Sequence, residues 1–228
     1  MLWRSRGRQN IYKVTKTILR GRRAAVLISR GVSSLVVDTL CDQTRGQGIA
    51  VTCFYFDFAA RKEHSATSVL GSLLKQVVGG MERIPEEISR AFQEQKTAIG
   101  GRAPRLPEIV KMLQAVTSSQ RIFMCIDALD ECAAVHRTKI LDSLKQILKK
   151  SPGTRIFVAG RPHVRAEIEK GLAGRVISVS IGPRKDDIIR YLRARLSEDE
   201  TPDEMDESLE ADILERIPGG ISEMYVGK

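Results

Sequence analysis

The chain has 228 residues, 42% of them hydrophobic and 29% charged, and a formal net charge of +9. That length suits one α/β domain with a sizeable core plus a small appendage, and no apolar run approaches the roughly 20 residues a membrane helix needs. Nine of the 37 basic residues lie in residues 1–30, which hold no acid, so the remaining 28 bases balance the 28 acids of residues 31–228. The excess charge therefore belongs to a tail rather than to a basic binding face.

In chain order, Ala24–Ile28 is short and apolar enough for a strand. Val32 to Cys41 places Leu35, Val36, Thr39 and Leu40 at helical spacing, and Gly46-Gln47-Gly48 ends that helix. Residues 49–58 are β-branched and aromatic, a buried strand. Ser65 then caps a helix with Val69, Leu70, Leu73, Leu74 and Val77 on one face, closed by Gly79-Gly80. Helices follow at 85–95 and 108–116, then a strand ending at Asp127 and a helix over 135–148. The order continues with a strand at 154–159, a short helix, a strand at 176–181 and a helix over 186–196. Strands alternating with helices predict a parallel α/β sheet covered on both faces.

Cys41, Cys53, Cys125 and Cys132 form no CxxC pair and read as reduced thiols, which points to a cytoplasmic protein. His64, His136 and His163 are scattered, so no zinc site is expected. Residues 1–30 read as a poorly ordered basic arm, a targeting segment or a sequence scar. Nucleic acid is expected to bind only non-specifically, through that arm. Glu198 to Asp212 holds nine acids and no base, a solvated linker into a helix with Leu209, Ile213, Leu214 and Ile217 in a stripe.

The chemistry concentrates at Ile122–Cys132. Five apolar residues run into Asp127, and Asp130 and Glu131 follow. Carboxylates at the carboxyl end of a buried parallel strand stand where open α/β sheets bind ligands. Hard oxygens there suit Mg²⁺, which prefers one or two carboxylates plus water and phosphate. The element has the shape of a Walker B strand. A buried strand ending in a solvated acidic turn would look the same.

These residues, followed by Arg155-Ile156-Phe157-Val158-Ala159-Gly160-Arg161-Pro162, resemble the Walker B and sensor segments of NACHT-type NTPases. More narrowly, the chain is similar over residues 33–226 to the nephrocystin-like N-terminal module of fungal ankyrin-repeat signalling proteins. The resemblance implies a three-layer P-loop NTPase-type sheet, incomplete at both ends, in a STAND-class switch controlled by ATP or ADP with Mg²⁺. It implies Asp127 on the metal, Asp130 and Glu131 as catalytic acids, and Arg161 on the nucleotide. Arg161 has a structural alternative, pairing with a neighbouring acid such as Glu131. The implied organisation is a basic segment 1–30, a core over 31–182 and the start of a following helical region over 183–228.

The phosphate loop G-x-x-x-x-G-K-[ST] is missing. Counting back from Ser33-Ser34-Leu35 puts the expected Gly-Lys-Thr on Ile28-Ser29-Arg30, none of which can replace it. Losing the lysine and one or two cradling N–H groups removes on the order of 4–6 kcal/mol, which turns micromolar binding into millimolar or weaker. Two readings stay open: a degenerate module that works by self-association or protein partners, and an active ATPase with an unusual loop in 21–31. A nucleic-acid or acidic-surface arm is a third.

Overall fold

The computed structural model describes residues 24–28, 33–59, 64–97, 103–151, 153–172, 176–180, 185–198 and 206–225. The chain divides into two compact units after Ser180. In the first, β1 (Ala24–Ile28), β2 (Ala50–Tyr55), β3 (Ile122–Asp127), β4 (Arg155–Ala159) and β5 (Val176–Ser180) form one sheet in the order β2-β3-β4-β1-β5. Every pairing is parallel. Its helices are α1 (Ser33–Thr44), α2 (Ala66–Gly79), α3 (Glu86–Thr97), α4 (Leu106–Ser119), α5 (Ala134–Lys150) and α6 (Arg165–Gly171).

The strand order explains why helices lie on both faces. From β1 the chain crosses three places to β2 through α1, then steps back through β3 and β4 and over β1 to β5. Parallel crossovers are right-handed, so a reversal of direction moves the connecting helix to the other face. Burial follows that division. Ile122, Met124 and Ile126 of β3 and Ile156 and Val158 of β4 join one cluster with Leu70 and Leu73 of α2, Leu113 of α4 and Leu144 of α5. Phe123, Cys125, Phe157 and Ala159 are buried outside that cluster, on the opposite face. There α1 packs on β2 and β3, with Val36, Val37 and Leu40 buried. Both faces of β3 are dry, which is why its sequence is continuously apolar rather than alternating.

Local signals hold at several ends. Ser65 caps α2 by accepting the Ser68 N–H at 3.1 Å. Gly46 and Gly48, at φ 75° and 65°, take the left-handed backbone that turns the chain out of α1. The strand at Ala24–Ile28 is formed and lies inside the 1–30 segment expected to be a loose arm. Five apolar residues there are held by β4 on one side and β5 on the other. Residues 1–23 lie outside the described residues.

The second unit contains α7 (Lys185–Leu196) and α8 (Glu207–Tyr225), which pack on each other. Asp186 and Asp187 open α7 and Arg193 and Arg195 close it, the charge order that a helix dipole favours. Among the described residues, no helix is long and apolar enough to cross a membrane.

Candidate functional site

All strands run the same way, so their carboxyl ends share one edge of the sheet. That edge carries Asp127 after β3 and Gly160-Arg161 after β4. The helix after β1 and the helix after β4 sit on opposite faces, and such a switch point opens a crevice.

Asp127 is held from two sides. Ser33 Oγ, at the first position of α1 and 1% exposed, donates to Asp127 Oδ1 at 2.6 Å. The Ala128 N–H donates to the same oxygen at 2.8 Å. In P-loop NTPases the loop Ser or Thr and the Walker B Asp share the Mg²⁺. The Ser33–Asp127 contact brings a hydroxyl and a carboxylate together at the corresponding place in this chain. Aligned on the Ser33 hydroxyl, the sequence reads Gly31-Val32-Ser33 against the motif's Gly-Lys-[Ser/Thr].

The count that placed Gly-Lys-Thr on Ile28-Ser29-Arg30 puts its first residue inside the sheet. Ile28 is the last residue of β1, paired with Ser180 of β5. In that alignment Gly31 and Ser33 match the motif and Val32 falls on its lysine. An eight-residue motif ending at Ser33 would begin at Val26, but Val26 and Leu27 are paired on both sides in the sheet. Only residues 29–32, which lie outside the described residues, join β1 to α1. Four residues replace the seven that precede the hydroxyl in the motif.

The acids after Asp127 are locked into a turn. Ala128 takes a left-handed conformation, φ 53° and ψ 42°, and leads into a 3-10 turn at Leu129–Glu131. A non-glycine residue there is uncommon and costs on the order of 1 kcal/mol. The fully buried Leu129 anchors the turn, and the Glu131 N–H closes it on Ala128 O at 2.8 Å.

Asp130 points toward the end of β4. Its Oδ2 lies 3.1 Å from Arg161 Nε, and its Oδ1 accepts the Arg161 backbone N–H at 3.2 Å. The Asp130 side chain is 4% exposed and the Arg161 side chain 49%. Gly160 makes room for this pair, because a Cβ there would meet Val164 Cγ2 at 3.1 Å and Asp130 Oδ1 at 3.4 Å. Behind the turn, Arg137 Nε donates to Glu167 Oε2 at 2.6 Å and Arg137 Nη1 to Cys132 O at 3.0 Å. Arg161 thus pairs with a neighbouring acid, as its structural alternative expects, and that acid is Asp130.

Tyr55 is the register partner of Asp127. Burial, then Cys53, Cys125 and Asp127, push its hydroxyl up to about 12. Burial likewise pushes the Cys125 thiol up, so it stays neutral and is a poor nucleophile.

These residues fit a hydrated Mg²⁺ better than they fit a nucleotide. Ser33 and Asp127 are hard oxygen donors already in contact. The sequence between β1 and Ser33 has no lysine, the cation that a P-loop sets against the phosphates. Among the described residues, no cluster of three or more His, Cys, Asp or Glu side chains could hold a metal by itself. Sequence reasoning missed Ser33, although Gly31-Val32-Ser33-Ser34 before an apolar helix carried the signal.

Residues 32–161, more than half the chain, match the family described as Nephrocystin 3, N-terminal. No curated protein matches the chain. Among solved structures it is similar to a Walker-type ATPase of Pyrococcus abyssi, with a TM-score of 0.51 and 13% identity over 93% of this chain and 64% of that one. It is also similar to Cdc6p from Pyrobaculum aerophilum, with a TM-score of 0.52 and 14% identity over 84% of this chain and 48% of that one. A third is Drosophila ORC bound to DNA, with a TM-score of 0.50 and 10% identity over 83% and 46%. The chain spans less than two-thirds of the length of each. At these identities the likeness is one of fold, a P-loop NTPase-type sheet. The family match runs from the residue before Ser33 to Arg161, the stretch that brings Ser33, Asp127, Asp130 and Arg161 together, and by it this chain belongs to the nephrocystin 3 N-terminal family.

Proposed function

We propose that this chain is a NACHT-like, STAND-class signalling module that has lost tight nucleotide binding and acts through association with other protein chains. One observation carries the reading: four residues join β1 to α1, with Val32 at the lysine position directly before Ser33. Mg²⁺ would be held by Asp127 and the Ser33 hydroxyl with water. Asp130 is engaged by Arg161, which supports a bracing role for both residues over acid catalysis and phosphate sensing. Glu131 is the remaining candidate for polarising a water. Residues 31–182 form the core in this reading, and 183–228 begin the helical region after it. The reading places the protein in the cytoplasm.

The retained Ser33–Asp127 contact favours a second reading, an ATP-dependent switch with a shortened loop. Titration with a fluorescent ATP analogue and Mg²⁺ separates the two. The first reading expects affinity no tighter than roughly millimolar, since the lost contacts sum to several kcal/mol. Micromolar binding that disappears in Asp127→Ala would overturn it in favour of the switch. One of the similar structures is bound to DNA. In this chain nucleic-acid contact would rest on residues 1–30, because the remainder is electrically balanced.

A further inference from the structure

β2 is an edge of the sheet, and its sequence makes that edge a hazard. Residues 49–56 contain no charge, no proline and no glycine, and most are β-branched or aromatic. Such a segment on an open edge is a template for pairing with another copy of itself. The backbone alternation shows which groups are exposed to that pairing. Ala50 N–H and Phe56 N–H donate inward, to Arg121 O and Asp127 O beside β3. With a period of two, Val51, Cys53 and Tyr55 turn their N–H and C=O groups outward.

At the middle of that outward row sits the side chain of Gln76 from α2. The Cys53 N–H donates to Gln76 Oε1 at 2.9 Å, and Gln76 Nε2 donates to Cys53 O at 2.8 Å. Two bonds exchanged with one residue are what an antiparallel strand neighbour would make. The amide orientation follows from chemistry, since only oxygen can face the N–H and only nitrogen can face the carbonyl. Ser72 Oγ accepts a further bond from Gln76 Nε2 at 3.4 Å, and the buried Leu73 and Val77 beside Gln76 fix the helix over the sheet.

We propose that Gln76 is an edge guard: its carboxamide takes the place of an incoming strand at Cys53 and so keeps β2 from pairing with β2 of a second copy. The strand excluded is this chain's own, because a second copy carries the same uncharged, β-branched and aromatic edge and the two can pair about a two-fold axis. The guard is independent of the nucleotide site, which lies at the carboxyl ends of the strands.

Two variants of the full chain test it by amide hydrogen exchange and sedimentation velocity. Gln76→Ala removes both bonds at an exposed helix position that alanine suits. It should speed exchange of the Cys53 amide about tenfold, the worth of one net hydrogen bond, with Thr52 and Phe54 unchanged. The same variant should associate at concentrations where the parent chain does not. Gln76→Lys cannot accept the Cys53 N–H but sets a charge on the edge, so it should speed exchange without causing association. Unchanged exchange at Cys53 in Gln76→Ala would overturn the pairing. Faster exchange with no added association, or equal association in Gln76→Lys, would overturn the guarding role.

Discussion

The acid half and the phosphate half of the site meet at one edge of the sheet but depend on different things. The acid half is built from contacts between distant parts of the chain. Ser33 reaches Asp127, Arg161 closes on Asp130, and Arg137 ties the following turn to Glu167. Most of these groups also hold the fold together, so the acids can persist for stability whether or not chemistry is performed. The phosphate half depends on the length and composition of one connection. β1 itself is paired on both sides, with β4 and β5, independently of that connection.

The largest expected effect comes from rebuilding the weaker half. Replacing residues 29–30 by a five-residue segment led by glycine, together with Val32→Lys, completes G-x-x-x-x-G-K-S ahead of Ser33 without touching β1. MgATP affinity should rise by two or more decades, since the lysine and each recovered N–H contribute roughly 1.5–3 kcal/mol. Isothermal titration of the rebuilt chain measures this. Unchanged affinity would mean that the acids do not face the loop. The same residues written at Val26–Arg30 would instead fall on β1 and break its pairing.

A smaller effect tests whether the acid half is structural. Arg161→Ala leaves Asp130 buried with one backbone donor. Removing one partner of a buried pair costs about 3–5 kcal/mol, and the half-exposed guanidinium lowers the expectation to about 1–3 kcal/mol. Urea unfolding would read it. A variant as stable as the parent would mean that the pair braces nothing.

The smallest is Ser33→Ala, which removes one of the two donors to Asp127 Oδ1. The Ala128 N–H remains, so the loss should be about 1 kcal/mol in the same unfolding experiment. A loss as large as that of Arg161→Ala would place Ser33 among the main braces of the fold.

Much of the fold was legible in the chain. The runs at 123–126 and 156–159 are continuously apolar because both faces of their strands are covered, whereas the edge strand β2 is mostly half-buried with Tyr55 exposed. Ser65, Gly46 and Gly48 mark ends whose chemistry is local, so composition reveals them. Asp127 was legible as well, being the first carboxylate after such a strand.

The hydroxyl that meets Asp127 was not legible, because no local spacing rule links residues so far apart in the chain. It took the contact between Ser33 and Asp127, 94 residues apart, to identify it. The partner of Arg161 depended in the same way on a left-handed Ala128 and a side-chain-free Gly160, which turn Asp130 rather than Glu131 toward β4. The sequence by itself determined the layers and the acidic cluster, since periodicity and burial are properties of short windows. Which acid pairs with Arg161, and which hydroxyl meets Asp127, were decided only by the tertiary structure, because those choices depend on side-chain directions set by distant segments.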